Sequence, residues 1–291
     1  MRIATRGSAL ARWQAEDVAL RLRRSDPHLH IEVVVVDTTG DRRADVPVWE
    51  MGGQGVFVRE VQVAVLEGRA DVAVHSAKDL PSTTPPGLFL AAFPVRADPR
   101  DALVGSTLDA LRPGAVVATG SVRRRAQLAW LRPDLTFRGL RGNIATRLDR
   151  VPPGGAAVVA AAALDRLGLA GRADEVLATS VLLPQVGQGA LAVECRSDDE
   201  STASCLAAID DPAVRAPVEA ERAFLARLGG GCDLPVAAHA RADGEGGLVV
   251  EGLLASGDGR VLLRRSVRGA SADAASLGSG LAESLLAASI P

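Results

Sequence analysis

The segment Ala70-Asp71-Val72-Ala73-Val74-His75-Ser76-Ala77-Lys78-Asp79-Leu80-Pro81 decides how the chain is read. Its first five residues are short and mostly apolar, as in a buried strand, and polar groups follow at once. Strand ends of this kind carry the sites of α/β proteins. Lys78 is the only lysine among 33 basic residues, so a composition that otherwise writes arginine keeps a compact ammonium here, beside the Asp79 carboxylate. The two cations differ in shape and donor geometry, which marks the position as one where a point charge matters. A solvated ion pair at a strand end is the plain alternative. It loses ground because arginines recur just after other strands, leaving a lone acid among several cations. That combination suits a cleft that holds an anionic substrate while one carboxylate does chemistry.

Toward the N-terminus, Ile3-Ala4-Thr5 reads as a strand, Arg6-Gly7 as a turn and Ser8 as the N-cap of a helix with Ala11, Ala15, Val18, Ala19 and Leu22 on one stripe. Ile31 to Val36 is β-branched except for Glu32, which predicts a strand covered on both faces. Residues 39–55 lack periodicity and carry four glycines, a long loop of the functional kind. A helix over about 56–67 leads back into the opening segment. Beyond it, 88–95 reads as another buried strand and 97–101 as a crossing between domains. A second series follows: a strand at 115–119, Ser121 as N-cap, a helix at 122–131, a strand at 136–140, a helix at 143–150, a strand at 156–161 and a helical turn at 164–169. Residues 182–189 form a second crossing before a strand at 190–195. Asp211-Pro212 caps a short turn, Pro217 opens a longer helix to Leu228, and Gly229-Gly230-Gly231 stops it. Three antiparallel strands, at 235–240, 248–254 and 260–267, precede a last helix over 272–288. The expected fold is α/β: two strand-helix domains joined by two crossings, plus a smaller α+β C-terminal domain. The expected boundaries are 1–95 with 190–210, 96–189, and 211–291.

With 47% apolar and 23% charged residues, the 291-residue chain is an ordinary globular protein. A net charge of −2 argues against a general nucleic-acid binder, and 3% aromatics with no tyrosine leave few stacking platforms. No run approaches the roughly 18 apolar residues of a membrane helix. The strand-like start lacks a signal-peptide pattern, so the cytoplasm is expected. Cys195, Cys205 and Cys232 form no C-x-x-C pair, which supports neither a disulfide framework nor a zinc knuckle, and no metal is expected. Cys195 and Cys205 read as small core residues. Cys232, after three glycines and before Asp233, is either merely buried or free to carry a bulky covalent group. His75 and His239 read as structural hydrogen-bonders. No phosphate loop is present, and Gly187-Gln188-Gly189 leads into a strand, the wrong context for dinucleotide binding.

Gly120-Ser121-Val122-Arg123-Arg124-Arg125 places arginines in the first turn of a helix, whose partial positive charge disfavours cations unless an anion joins them. The alternative is that these side chains fan out into solvent. Arg138-Gly139-Leu140-Arg141-Gly142-Asn143 through Arg147 repeats the arrangement at the next junction. Arg6, Arg123, Arg124, Arg141 and Arg147 are expected to share one cleft along the C-terminal ends of parallel strands. Guanidinium forks suit carboxylates and phosphates equally.

Taken in order, Ile3 to Ser8, Gly52 to Phe57, His75 to Pro81, Thr119 to Arg124, Leu140 to Asn143, Val186 to Ala190 and Gly230-Gly231-Cys232 closely resemble the porphobilinogen deaminase (hydroxymethylbilane synthase) family. The resemblance implies two domains like those of type II periplasmic binding proteins and a third that carries a dipyrromethane cofactor on a cysteine. It implies head-to-tail condensation of four porphobilinogen molecules with loss of ammonia, giving hydroxymethylbilane, in a cytoplasmic monomer. By position in the motifs, Cys232 resembles the thioether attachment point. Asp79 resembles the catalytic carboxylate, which would help the aminomethyl group leave and stabilise the cationic methylene-pyrrolenine. Lys78, Thr119, Ser121, Arg123, Arg124, Gly142 and Arg147 match cofactor binders. Arg6, Ser8, Arg141, Arg147, Arg166 and Gln188 match binders of the substrate carboxylates.

Three positions depart from the family pattern. Gln54 stands where lysine is frequent, so one substrate-acetate contact differs. Gly120 replaces a common serine, and Asp233 a frequent glutamine. A reading from another class, a non-catalytic two-domain clamp for a small polyanion, uses the same arginines but has no need of Asp79.

Overall fold

The computed structural model describes residues 1–38, 55, 58–229 and 235–289. They divide into two compact units, residues 1–97 with 190–215 and residues 98–189 with 216–291. In the first unit, β1 (Arg2–Arg6), β2 (Glu32–Val36), β3 (Val72–Ser76) and β4 (Leu88–Ala92) form a sheet with a late strand, Leu191–Arg196. The order is β2-β1-β3-late strand-β4. β1 runs parallel to β2 and β3, whereas the late strand is antiparallel to both β3 and β4. Helix α1 (Ala9–Ser25) starts where Ser8 Oγ accepts from the Ala11 N–H, satisfying one of the orphan donors of a helix start. It buries the expected stripe of Ala11, Ala15, Val18, Ala19 and Leu22. Helix α2 (Arg59–Leu66) buries Val61, Ala64 and Val65.

The expectation that residues 31–36 and 88–95 are strands buried on both faces is corrected. β2 and β4 lie at the two edges of their sheet, and Val35 and Phe89 are 40% and 36% exposed. β-branching reports a good fit to a pleated surface, not coverage of both of its faces.

The second unit opens with β5 (Asp101–Val104), a strand the sequence reading missed: it starts on the last residue of the expected 97–101 crossing and continues through residues given no element. After it come β6 (Val116–Ala118), α3 (Val122–Leu131), β7 (Thr136–Arg138), α4 (Ile144–Asp149), β8 (Ala156–Ala160), α5 (Ala161–Arg166) and β9 (Glu175–Leu177). The sheet order is β7-β6-β8-β5-β9. β6 is parallel to β7 and β8, while β5 is antiparallel to β8 and β9. With the late strand of the first unit numbered β10, the two sheets follow one plan: second strand, first, third, an antiparallel insert, fourth. Each insert comes directly after a crossing, β5 after the outward one and β10 after the return. The helical turn expected at 164–169 is the earlier helix α5, which begins as β8 ends.

Helix α6 (Glu200–Ala207) belongs to the first unit, where Leu206 joins the core under its sheet, and the remainder comprises α7 (Pro212–Arg227), the antiparallel strands β11 (Val236–Ala242), β12 (Gly247–Ala255) and β13 (Leu262–Ala270), and α8 (Ala274–Ser289). Phe224, Ala238, Val250, Leu281 and Leu285 build the core of this α+β module. Ala126 of α3 and Leu183 pack with Ala237 and Leu253, so the module shares a core with the second sheet. The helix expected to begin at Pro217 instead runs unbroken from Pro212 with Pro217 inside. Proline there removes one intrahelical hydrogen bond. Burial of Val214 before it, and of Val218, Ala220 and Phe224 after it, holds the two parts in one helix.

Candidate active site

β1 and β3 are adjacent and parallel, so their C-terminal ends share one edge of the first sheet. The Arg6-Gly7-Ser8 turn and the Lys78-Asp79 turn both leave that edge. Lys78 and Asp79 lie in a single 3-10 turn, Ala77–Asp79, pinned by the Ala77 N–H donating to the Ala190 carbonyl at 3.0 Å and the Leu80 N–H donating to the Ala77 carbonyl at 3.3 Å. Both side chains are half-buried. Among the described residues the Asp79 carboxylate has no hydrogen-bond or ion-pair partner. The Ser8 hydroxyl is engaged as the α1 cap, which places it at the foot of the same edge.

Behind Asp79, β3 is anchored by a buried polar set absent from the expected site. His75 Nε2 lies 3.0 Å from Glu194 Oε2, and Gln62 Nε2 donates to both Glu194 oxygens, at 2.8 and 3.1 Å. One fully buried carboxylate thus joins α2, β3 and β10.

In the second unit, the loops after β6 and β7 meet. The Thr119 N–H donates to the Arg138 carbonyl at 2.9 Å, Thr119 Oγ1 accepts from the Ser121 N–H at 3.2 Å, and Ser121 Oγ caps α3 by accepting from the Arg124 N–H at 3.4 Å. A Cβ on Gly120 would stand 2.6 Å from the Leu140 carbonyl oxygen, so the glycine lets the loops approach. Gly142 has φ +106, a left-handed backbone that favours glycine, and its carbonyl accepts from Arg147 Nε at 2.8 Å. Asn143 caps α4 by accepting from the Thr146 N–H at 2.9 Å. Thr119, Ser121, Arg141 and Gly142 therefore occupy one pair of abutting loops, and Arg147 reaches back to them from α4.

Arg123 and Arg124 do not fan out into solvent. They are 3% and 5% exposed and converge on Asp101, which is fully buried at the start of β5. Arg123 Nη2 donates to Asp101 Oδ2 at 2.8 Å, and Arg124 donates to Oδ1 through Nη2 at 2.7 Å and Nε at 3.1 Å. Arg123 Nη1 and Arg124 Nη1 donate to the carbonyls of Leu183 and Val158. Burial pushes the Asp101 carboxyl up, but the two guanidiniums and the Gln188 amide outweigh it and hold the group below the usual carboxylate range. Two buried cations thus meet one buried anion, and Arg123 Nε is buried without a partner. Burial of an unbalanced charge is costly, so the cluster suits an additional anion such as a cofactor carboxylate.

Arg166 and Gln188 are placed beside this cluster, both buried. Arg166 Nη2 donates to the Gly189 carbonyl at 2.7 Å. Gln188 Nε2 donates to the Pro99 carbonyl at 2.6 Å and to Asp101 Oδ1 at 2.9 Å, tying the return crossing to the outward one. Cys195 lies in the core of the first unit, where burial pushes its thiol up to about 11. Gln54, most of the 39–55 loop, Cys232 and Asp233 lie outside the described residues.

Residues 1–204 match the family model described as porphobilinogen deaminase, dipyromethane cofactor binding domain, and residues 216–287 match the porphobilinogen deaminase C-terminal domain. A porphobilinogen deaminase of Syntrophus aciditrophicus (strain SB) is 46% identical over 291 residues, covering 98% of this chain and 95% of the relative. This chain belongs to the porphobilinogen deaminase family. A second porphobilinogen deaminase, from Roseiflexus sp. (strain RS-1), is 49% identical over 289 residues, again covering 98% and 95% of the two chains. Among solved structures, a TRAP periplasmic solute binding protein from Desulfovibrio salexigens DSM2638 aligns over 72% of each chain at 10% identity with a TM-score of 0.43. The matched dipyromethane-binding model spans both five-stranded sheets and the Asp101 cluster. As in any porphobilinogen deaminase, the dipyrromethane cofactor is part of this protein's chemistry. Among the described residues no helix is long and apolar enough to cross a membrane.

Proposed function

We propose that this chain condenses four porphobilinogen molecules head to tail, releasing ammonia at each step, and hydrolyses off hydroxymethylbilane for tetrapyrrole biosynthesis. The observation that carries the catalytic assignment is the half-buried Asp79 carboxylate, without a partner among the described residues, beside the chain's only lysine at the end of β3. When bound, the cofactor supplies the free pyrrole carbon to which the first substrate is joined. Cys232 would hold it through a thioether, and Lys78, Thr119, Ser121, Arg123, Arg124, Gly142 and Arg147 would hold its carboxylates. Arg6, Ser8, Arg141, Arg147, Arg166 and Gln188 would receive the acetate and propionate groups of the substrate. Guanidiniums fixed before the ligand arrives lose little entropy on binding.

Asp79 has a dual part. Its negative charge offsets the cation left on the substrate when ammonia departs, and its oxygens accept from the pyrrole N–H, which orients the methylene carbon toward the waiting ring. The proton released as the new carbon–carbon bond forms passes to a base or to water. The working form is a cytoplasmic monomer of three domains, 1–95 with 190–210, 96–189 and 211–291, that uses neither metal nor nucleic acid.

Intact-mass measurement tests both halves of the assignment. Native protein is expected to carry the mass of two pyrrole units, absent from Cys232→Ser. Asp79→Asn is expected to retain that mass while turnover falls by about 10²- to 10⁴-fold. An active preparation with an unmodified mass, or full turnover by Asp79→Asn, overturns it.

A further inference from the structure

We propose that Asp101 sets the charge of the cofactor's anion site, cancelling one of two buried guanidinium charges and leaving the other for a ligand carboxylate. The proposal rests on the reading that Arg123 and Arg124 hold the cofactor, and it adds the residue that makes them able to. Among the described residues Asp101 is the only carboxylate within ion-pair distance of either guanidinium. Its oxygens take four donors: Arg123 Nη2, Arg124 Nε and Nη2, and Gln188 Nε2. A carboxylate has about four lone-pair sites, so Asp101 is saturated by protein. It is a fixed charge that orients two forks, a positioning residue with no capacity left to touch the ligand.

The count of charges does the rest. With no acid at position 101 the folded protein would bury two like charges side by side, a state that needs an anion before it is stable. With a second acid in the cluster the pair would be neutral and would have no electrostatic reason to draw a ligand. One carboxylate leaves the Arg123–Arg124 pair a surplus of a single positive charge, and Arg123 Nε keeps an unspent donor at 3% exposure. Gln188 is the neutral partner that fills the last Asp101 site without changing that sum. The chain therefore folds before it is loaded, yet remains one anion short.

The test compares unloaded protein, made in a host that cannot supply porphobilinogen, with the loaded form. Asp101→Asn keeps the shape and removes the charge. Thermal unfolding is expected to show the unloaded variant losing far more than the loaded one, so that the gap in Tm between the two forms widens by roughly 5 °C or more over that of the wild type. Equal losses in both forms, with the gap unchanged, overturn the proposal, because a merely structural residue lowers both alike. Should unloaded Asp101→Asn fail to fold, Asp101→Asn with Arg124→Gln decides: it restores the surplus of one charge, so recovery of a folded unloaded protein supports the proposal and continued failure overturns it. A wild-type protein that never acquires the two-pyrrole mass would instead refute the cofactor reading itself, an outcome the mass spectrum separates from the others.

Discussion

Glu194 and Asp101 are acids with no exposure, and each joins chain segments distant in sequence. Asp101 meets partners 22, 23 and 87 residues away, and Glu194 meets Gln62 132 residues away. No local pattern announces such pairings. Glu194 sits within the apolar run of β10, and Asp101 opens β5 at the end of a stretch whose proline and charges suggest only a crossing. The one signal in the sequence was indirect, since arginines crowded at a helix start require a counter-charge somewhere. The turn that carries Lys78 and Asp79 was legible because its setting is local: a strand ends and polar residues follow at once. Glu194→Ala would leave the Gln62 amide without its acceptor and strip the His75 ring of its carboxylate. We expect it to lower the free energy of unfolding by about 2–3 kcal/mol, read from the urea midpoint at unchanged slope. A change under half a kcal/mol would show that water or rearrangement satisfies those groups.

At the scale of elements, caps were the most faithful signals. Ser8 and Ser121 each accept from a backbone N–H three residues on, and α3 spans Val122–Leu131 as expected from Ser121, whereas Asn143, expected as the first residue of its helix, is instead its cap. Burial was less legible, because a run such as residues 31–36 looks the same whether its strand ends up central or at an edge. Gly142 illustrates a constraint that only geometry reveals: a Cβ there would lie 2.8 Å from the Thr146 side chain, on a backbone with φ +106. Gly142→Ala is expected to cost about 1–3 kcal/mol and to shift the carbonyl that receives Arg147, so both the urea midpoint and the fraction carrying the two-pyrrole mass should fall. Unchanged values would mean that the loop relaxes freely. In the β11–β12 turn, Asp243 accepts from the Glu245 and Gly247 N–H groups and pairs with Arg268. The Glu245 N–H first, then Arg268 and Gly247, push its carboxyl down to about 2, against about 3.9 in an unfolded chain. A depressed folded value means that this stabilisation is complete above about pH 4 and is lost as pH falls through about 2. The amide shifts of Glu245 and Gly247 should titrate with a midpoint near 2, and a midpoint near 4 would contradict the cap.

Across the whole molecule, the two five-stranded sheets share one strand order but differ in how their strands are drawn from the chain. All five strands of the second sheet lie within residues 98–189, whereas the first sheet needs Leu191–Arg196 between β3 and β4. The recurrence of two strand-helix series was visible in the sequence. The insertion of one antiparallel strand at the same place in each sheet was not, because partner choice within a sheet leaves no trace in periodicity. A fragment of residues 1–97 is expected to remain unfolded by circular dichroism and to gain structure when a peptide of residues 190–215 is added. Stable, cooperative folding of the fragment alone would show that β10 is dispensable to the first sheet.

The position of β10 also bears on biogenesis. On a ribosome the first sheet emerges with a gap between β3 and β4, and roughly a hundred further residues, about 5–20 s of translation, separate β4 from the strand that fills it. Throughout that interval β3 and β4 lack the strand that pairs with both, so the amino-terminal portion completes its sheet only after the second unit's strands have been made.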